Sequence, residues 1–487
     1  NGDFATDTGW NKNANWSISG GVAIADGTSS SDINQGPPLA SVGAKYLISF
    51  DVVSLSQGSF RVEFGDASID GNTVGSFSGE VIATSTDRVR VLAIATAIGS
   101  IDNVSVKELI TSNIPRIDYS NGCGSLLLEK QSTNLVTYSE DFSNAYWTKN
   151  GSSVVSGFTS PDGTTNAFKL VGDLANSFKN VTKLNVSVTN ALNYTYSAFA
   201  KADTSDYLQL ICSGGFASNH QNFDLANGVL GTSSGVVSSR IEAYSNGWYK
   251  CSMTVLATST AGTNAYIVLA DSASMGRAAG FTTASGVYIY GAQLEQSSYP
   301  TSYIPTSGTT TTRIADTASK TGLSSVINST EGVLYAEIAA LADDGTARYL
   351  SISDGSFTNR VSIYLSSSTN IIGARVVVGG TSIFLNGASQ TQANSNKIAI
   401  KWKLNDYQLY INGLEVAANT SGNTFTSSTL SQLSFNDGGT GTAYLFGKCQ
   451  NLMVFPSALT DDELTDLTGA VHQTFNSLAT FYNYTIL

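Results

Sequence analysis

The chain has 487 residues, of which 13% are charged, 41% hydrophobic and 10% aromatic, a balance that excludes a disordered polyelectrolyte and allows about three domains at roughly 150 residues each. With 37 acidic and 25 basic residues the net charge is −12, and no Lys/Arg cluster is present to neutralise a phosphate backbone, so no nucleic-acid partner is expected. No run approaches the roughly 20 apolar residues of a bilayer span, so no membrane insertion is expected either.

Strand patterns dominate from the N-terminus onward. The runs Tyr46–Val52, Phe60–Phe64, Tyr194–Lys201 and Tyr407–Ile411 are rich in β-branched and aromatic residues, alternate in part, and are too short for helices. Asn-Gly or Asp-Gly pairs punctuate them at Asp26-Gly27, Asp70-Gly71, Asn227-Gly228, Asn246-Gly247, Asp354-Gly355, Asn386-Gly387 and Asn412-Gly413. Such pairs suit the positive φ of tight hairpins. This pattern predicts an all-β fold of tandem jelly-roll or β-sandwich modules. One helix is predicted near 460–467, where Thr460-Asp461-Asp462-Glu463 reads as a capping box followed by Leu464 and Leu467 on one face.

An internal repeat places the boundaries. Asn1-Gly2-Asp3-Phe4 with Trp10-Asn11-Lys12-Asn13 is echoed by Ser139-Glu140-Asp141-Phe142 with Trp147-Thr148-Lys149-Asn150. Ile101–Lys107 and Ile289–Glu295 read as equivalent last strands. The expected organisation is a first module at 1–109, a connector at 110–131, a larger second module at 132–306, a Thr-rich linker at 307–327 that reads as an exposed hinge, and a third β-domain at 328–487.

Four cysteines, none in a C-x-x-C, do not make a disulfide scaffold. Cys212 and Cys251 are expected as buried thiols, with a pairing possible only if the fold brings them face to face. His220 and His472 have no helical H-x-x-x-H partner, which argues against a zinc hydrolase or a Cys/His protease. No E-x-D-x-x-E-like strand cluster of paired carboxylates is present, so no enzymatic activity is expected.

Protein–sugar recognition stacks C–H faces on aromatic rings beside polar side chains. Trp10, Trp16 and Trp147, with the neighbouring Tyr146, lie in polar surroundings near module starts, whereas Trp248 and Trp402 lie in strand patterns and are expected in cores. The recurrence of Trp10 and Trp147 at equivalent positions argues for a structural role, and Trp16, without a counterpart, is the freer candidate for a ligand platform.

Three family resemblances cover nearly the whole chain. The first module, from Asn1-Gly2-Asp3-Phe4 to Ile101-Asp102-Asn103-Val104-Ser105-Val106, resembles the jelly-roll carbohydrate-binding modules of bacterial glycanases. That resemblance implies a structural Ca2+ tying first strand to last, with Asp3 and Asp102 at the matching positions and hard oxygen ligands of the kind calcium needs. The string Gly124–Glu129, Thr133-Asn134-Leu135, Ser139–Phe142, Tyr146-Trp147, Phe223-Asp224-Leu225, Gly247-Trp248-Tyr249, Gly291–Glu295 and Tyr299–Thr306 is similar to a module common in tail, fibre and other virion proteins of bacteriophages. The last domain, through Glu331–Glu337, Lys397–Ile400, Tyr410–Gly413 and Leu452–Phe455, resembles the concanavalin A-like, laminin-G-type sandwich. There Asn436-Asp437-Gly438 offers either calcium oxygens or a simple turn.

Together these resemblances imply a virion-surface, extracellular tail or head fibre that adsorbs to host-surface glycan without catalysis. Its partners would be host polysaccharide, other virion proteins and further copies of itself in a trimer. A secreted bacterial glycanase or lyase with accessory modules, and an inert capsid decoration or spacer, are the alternatives.

Overall fold

Alternation with a period of two turns every second side chain of a strand to one face, so each buried face requires a second sheet against it. The computed structural model describes residues 2–37, 39–108, 115–119, 122–368, 370–387, 389–439 and 443–469. It is all-β, built from β-sandwiches, with every paired strand antiparallel and one α-helix among the described residues. Two compact units are formed, Asn1–Ile114 and Pro115–Leu487.

In the first unit two long strands, Lys45–Phe64 and Arg90–Glu108, pair along most of their length and carry the shorter strands on either side. Along Lys45–Phe64 the residues Tyr46, Ile48, Phe50, Val52, Phe60, Val62 and Phe64 are buried in one core, joined there by Val91, Ala93 and Ile101. Shifts of register between the long strands let each bend through the unit.

The second unit holds two sandwiches. In one, a six-stranded sheet runs in the order Thr148–Asn150, Asn180–Val188, Ala261–Ala270, Tyr207–Ser213, His220–Asp224, Val229–Ser234. It shares the unit's largest core with a second six-stranded sheet, Ser152–Phe158, Ala167–Gly172, Gly286–Glu295, Asn193–Ala202, Tyr249–Leu256, Ser238–Ala243. Trp147 and Met253 lie in that core.

The other sandwich corrects the expected boundaries. Its seven-stranded sheet has the order Leu414–Asn419, Asp406–Ile411, Asn396–Lys403, Gly332–Ala340, Gly447–Phe455, Ser125–Leu128, Arg116–Asp118. The stretch expected as a connector at 110–131 thus supplies two strands, with Leu126 opposite Cys449 and Leu128 opposite Gly447. Nor is 307–327 a free hinge, although most of its residues are exposed as expected. Thr311–Arg313 pairs with Ser132–Asn134, and Ser319–Lys320 joins the opposing sheet beside Gln432–Ser434. The module at 132–306 is therefore an insertion into the C-terminal sandwich, entered and left through one two-stranded ribbon. Leu128 and Ile327, from either side of the insertion, are buried in the same core as Leu334, Ile363 and Trp402.

Other local features follow the sequence, except that Gly71 and Gly387 are not among the positive-φ glycines. Thr460 caps the helix Asp461–Thr468 with both bonds of a capping box, and Leu464 and Leu467 are buried. Gly27, Gly228, Gly247, Gly355 and Gly413 have positive φ, whereas Asp70-Gly71 lies within the strand Ala67–Gly71. Cys212 and Cys251 are buried free thiols on opposed sheets, and burial raises the pKa of both. His472 lies outside the described residues.

Candidate functional site

Trp16 is 5% exposed, packs at 5.8 Å from Phe60 and donates its indole N–H to the Ser31 carbonyl. Trp147 is 2% exposed, lies 5.0 Å from Phe142 and donates to the Tyr138 carbonyl. Both rings are packed into cores with their indole N–H groups satisfied, which corrects the expectation of a platform at these positions. Their polar sequence neighbours are the outward residues of short strands and turns, so polar flanks did not signal exposure. Trp248 and Trp402 are core residues as expected. Tyr146 is half-buried; its hydroxyl accepts from the Thr137 amide and the Lys183 ammonium lies 4.2 Å from its ring centroid.

Trp10 is buried against Phe4 at 5.0 Å, and the 7% of its surface left uncovered faces a groove of about 350 Å³. Around it stand Tyr46, Phe64, Val104 and Val106, with Gln35, Ser41 and Glu108 supplying polar groups and Leu39 at the rim. The strands position this set: Trp10–Lys12 pairs with Asp32–Gln35, which pairs with Arg90–Glu108, so Trp10 stands opposite Gln35. Tyr46 and Phe64 meet edge to face at 4.8 Å, and the Tyr46 hydroxyl accepts from the Ser41 amide. The result is a mainly apolar concavity with a few fixed amide, hydroxyl and carboxylate groups, a composition suited to one or two sugar rings.

The second unit has a more polar cleft of about 520 Å³ lined by Lys130, Gln131, Ser132, Thr133, Ser187, Thr189, Tyr194 and Gln296. Burial lowers the pKa of Lys130, whose ammonium lies 5.5 Å from the Tyr299 ring centroid.

Val104 donates to the Gly2 carbonyl at 2.8 Å, which brings the start of the first unit against its last strand. Asp3 accepts from the Ala5 amide and Asp102 from the Asn103 amide. Among the described residues no three His, Cys, Asp or Glu side chains converge as a metal set. The loop carbonyls of Asn436, Asp437 and Gly438 accept from Ser351, Arg360 and Ser353, so that turn is held by protein donors.

Much of the ordered string of the middle module, from Glu129, Asn134 and Ser139 to Tyr290, Glu295 and the stretch 301–306, converges in a clasp at the root of the insertion, whereas Phe223 and Asp224 lie in the other sheet. Asn134, fully buried, donates to the Ala292 and Ile304 carbonyls and accepts from the Val136 and Leu294 amides, using its whole bonding capacity. Glu295, also fully buried, accepts from Ser132, Gln293 and both the amide and hydroxyl of Thr301. The Glu129 carboxylate accepts from the Ser302 amide and pairs with Arg116 and Arg313, which also reach Asp316. Ser139 Oγ accepts from Tyr303 and the Thr306 amide. The Tyr290 hydroxyl lies 2.8 Å from Glu140 and 3.0 Å from Asp162, and burial together with these carboxylates raises its pKa. The motif residues that sequence reasoning tied to a protein class are thus occupied in holding the fold.

No family model matches the chain, nor does the sequence of any curated protein. Solved structures to which it is similar include a heptameric SAP-like pentraxin from Limulus polyphemus, at 13% identity over 29% of this chain and 75% of that one, with a TM-score of 0.24. A CBM22-1–CBM22-2 tandem from Paenibacillus barcinonensis Xyn10C matches at 12% identity over 61% of this chain and 95% of that one, with a TM-score of 0.23. Domains LG4-5 of the mouse laminin α1 chain match at 12% identity over 67% and 96%, with a TM-score of 0.21. At such scores these likenesses carry no argument, and the class, an all-β multi-sandwich protein, rests on the chain's own sheets.

Proposed function

We propose that this protein is a non-catalytic, extracellular glycan-binding protein that acts by reversible adsorption. The observation that carries the reading is the groove of the first unit, where only the uncovered edges of Trp10, Tyr46 and Phe64, 7%, 5% and 3% exposed, meet Gln35, Ser41 and Glu108. These ring edges, with Leu39 at the rim, give an apolar floor for the C–H groups of a pyranose, and the few polar groups orient its hydroxyls. A single shallow groove of this kind supports affinities near 1 mM, about −4 kcal/mol. Display of several copies on one particle raises avidity by roughly 10²–10⁴ through effective concentration. A bacteriophage fibre or other virion adhesin, trimeric and directed at host-surface polysaccharide, is the setting in which such weak sites act together. The middle-module string supports that setting only as a resemblance, because its residues serve the clasp.

Glycan arrays and isothermal titration of the full chain test the reading. Saccharide binding that is lost in the double variant Gln35→Ala, Glu108→Gln, with the melting temperature unchanged, is the expected result. Absence of binding to any saccharide at millimolar concentration would overturn it.

A further inference from the structure

The outer face of the six-stranded sheet in the C-terminal sandwich has an unusual composition. Along Arg348–Ser353, Arg360–Leu365, Ile372–Val378 and Thr381–Leu385, the residues Leu350, Ile363, Ala374 and Ile383 point into the core. The period of two sends Tyr349, Tyr364, Arg375 and Phe384 to the other face, where Arg375 stands directly across from Phe384 and Tyr349 across from Tyr364. A sheet face turned away from its core is ordinarily polar. This one has Ser351, Ser353 and Arg360 buried beneath the Asn436-Asp437-Gly438 turn and, beside them, Arg375 among the rings of Tyr349, Tyr364 and Phe384.

The Arg375 guanidinium lies 5.2 Å from the Phe384 ring centroid and 5.9 Å from that of Tyr349, and Arg360 lies 5.2 Å from that of Phe357. Phe384 is 54% and Phe357 43% exposed. In a chain rich in carboxylates, neither guanidinium forms an ion pair among the described residues, and the Nε of each is buried without an acceptor. Asp437 is the acidic residue that acts on Arg360, which donates to its main-chain carbonyl. Arg360, 6% exposed, has Asp437 acting against the lowering of its pKa by burial and by Arg375, so it is answered within the protein. Arg375, half-buried among rings that displace water, is the cation left partly open on this face.

We propose that this face is a second saccharide site, selective for acidic sugars, with Arg375 receiving the carboxylate and Phe384 stacking on the pyranose. It rests on the glycan-binding reading and adds to it a chemical class and a place. A guanidinium fork matches the two oxygens of a planar carboxylate, and an exposed ring beside it meets the sugar's C–H face. A neutral sugar needs no guanidinium. A nucleic acid requires several phosphate contacts, and the face offers one accessible cation, Arg375.

The test is calorimetric titration of the full chain with trigalacturonic acid, with 3′-sialyllactose and with a neutral saccharide that the first-unit groove binds. Binding of at least one acidic sugar, weakened about tenfold or more in Arg375→Gln and reduced by added salt, is expected. Arg375→Lys should restore affinity only in part, because it keeps the charge and loses the fork. Phe384→Ala, at an exposed position that leaves the core intact, should weaken binding as well. The two acidic ligands separate a uronate from a nonulosonate preference. Unchanged affinity in Arg375→Gln, or no acidic sugar bound while the neutral saccharide still binds, overturns this inference alone; failure of every saccharide overturns the glycan-binding reading with it.

Discussion

Glu129 and Asp316, 187 residues apart in sequence, hold each other reciprocally: the Glu129 amide donates to Asp316 Oδ2 at 2.8 Å, and the Asp316 amide donates to the Glu129 carbonyl at 2.9 Å. They flank the inserted module, so this contact closes the loop that the whole insertion forms. Closing a flexible loop of that length costs roughly 4–5 kcal/mol, a cost that the clasp and the paired ribbon must offset. Arg116 and Arg313 balance the two carboxylates.

Removing one partner from this network should therefore be severe. Glu129 and Arg313 have side chains 3% and 11% exposed, and breaking a buried pair leaves an uncompensated charge. We expect Arg313→Gln to cost about 3–5 kcal/mol in urea denaturation. Arg116, 38% exposed, should cost about 1 kcal/mol or less when replaced by Gln. Equal effects for the two variants would show that burial does not govern the clasp.

The clasp region also predicts how stability follows pH. Burial raises the Asp162 pKa, but hydrogen bonds from Ser160, Thr164 and Tyr290 outweigh it and hold the group at about 2. A folded-state pKa below the unfolded one contributes stability that is present above the ordinary carboxylate range and lost as pH falls toward 2. Asp316 works in the opposite sense. Burial raises its pKa, with Glu129 acting the same way against the lowering by the Glu129 amide, Arg116 and Arg313. Its contribution is complete below the unfolded pKa and declines as pH rises through the folded one. Denaturation midpoints between roughly pH 2 and 6 should thus show a weaker acid loss in Asp162→Asn. An unaltered slope in that variant would remove Asp162 from the account.

The tryptophans should report stability and not recognition. Trp16→Ala and Trp147→Ala each empty a large core position and should cost about 3–5 kcal/mol. Saccharide affinity, measured in whatever fraction remains folded, should stay within about twofold, well under the 1.4 kcal/mol of a tenfold change. A selective loss of binding with unchanged stability in either variant would return that ring to the ligand.

Calcium has a direct measurement. The first and last strands of the first unit are joined by the Val104–Gly2 hydrogen bond, so EDTA should move the corresponding melting transition of the full chain by less than about 4 °C, the shift that 1 kcal/mol produces in a domain of this size. A larger fall, reversed by Ca2+ and absent in Asp3→Asn and Asp102→Asn, would assign an ion to those two carboxylates.

Chain-local physics made much of this legible. Turn pairs such as Asn412-Gly413, the Thr460 capping box and the alternation of Tyr407–Ile411 depend on neighbours within a few residues, and all three are read directly from the sequence. The repeat is equally faithful: Phe4 with Trp10 and Phe142 with Trp147 meet at the same 5.0 Å in the two units. Partners distant in sequence carry no such mark. Leu126 stands opposite Cys449, and no local feature of Ser125–Leu128 says which sheet will accept it, so the stretch reads as a connector. Polar neighbours made Trp16 look exposed because alternate residues on a short strand face opposite ways, and only the second layer decides which side is the core. For the same reason the groove gathers Trp10, Gln35, Tyr46, Phe64 and Glu108 from separate strands. Sequence alone determined that this protein would be strands and turns under neutral hydroxyl and amide cover. Tertiary structure decided which sheet each strand joined, that the chain of one sandwich would be interrupted by another, and which ring edges would line a groove, because pairing register and burial are set by contacts that the chain makes only once folded.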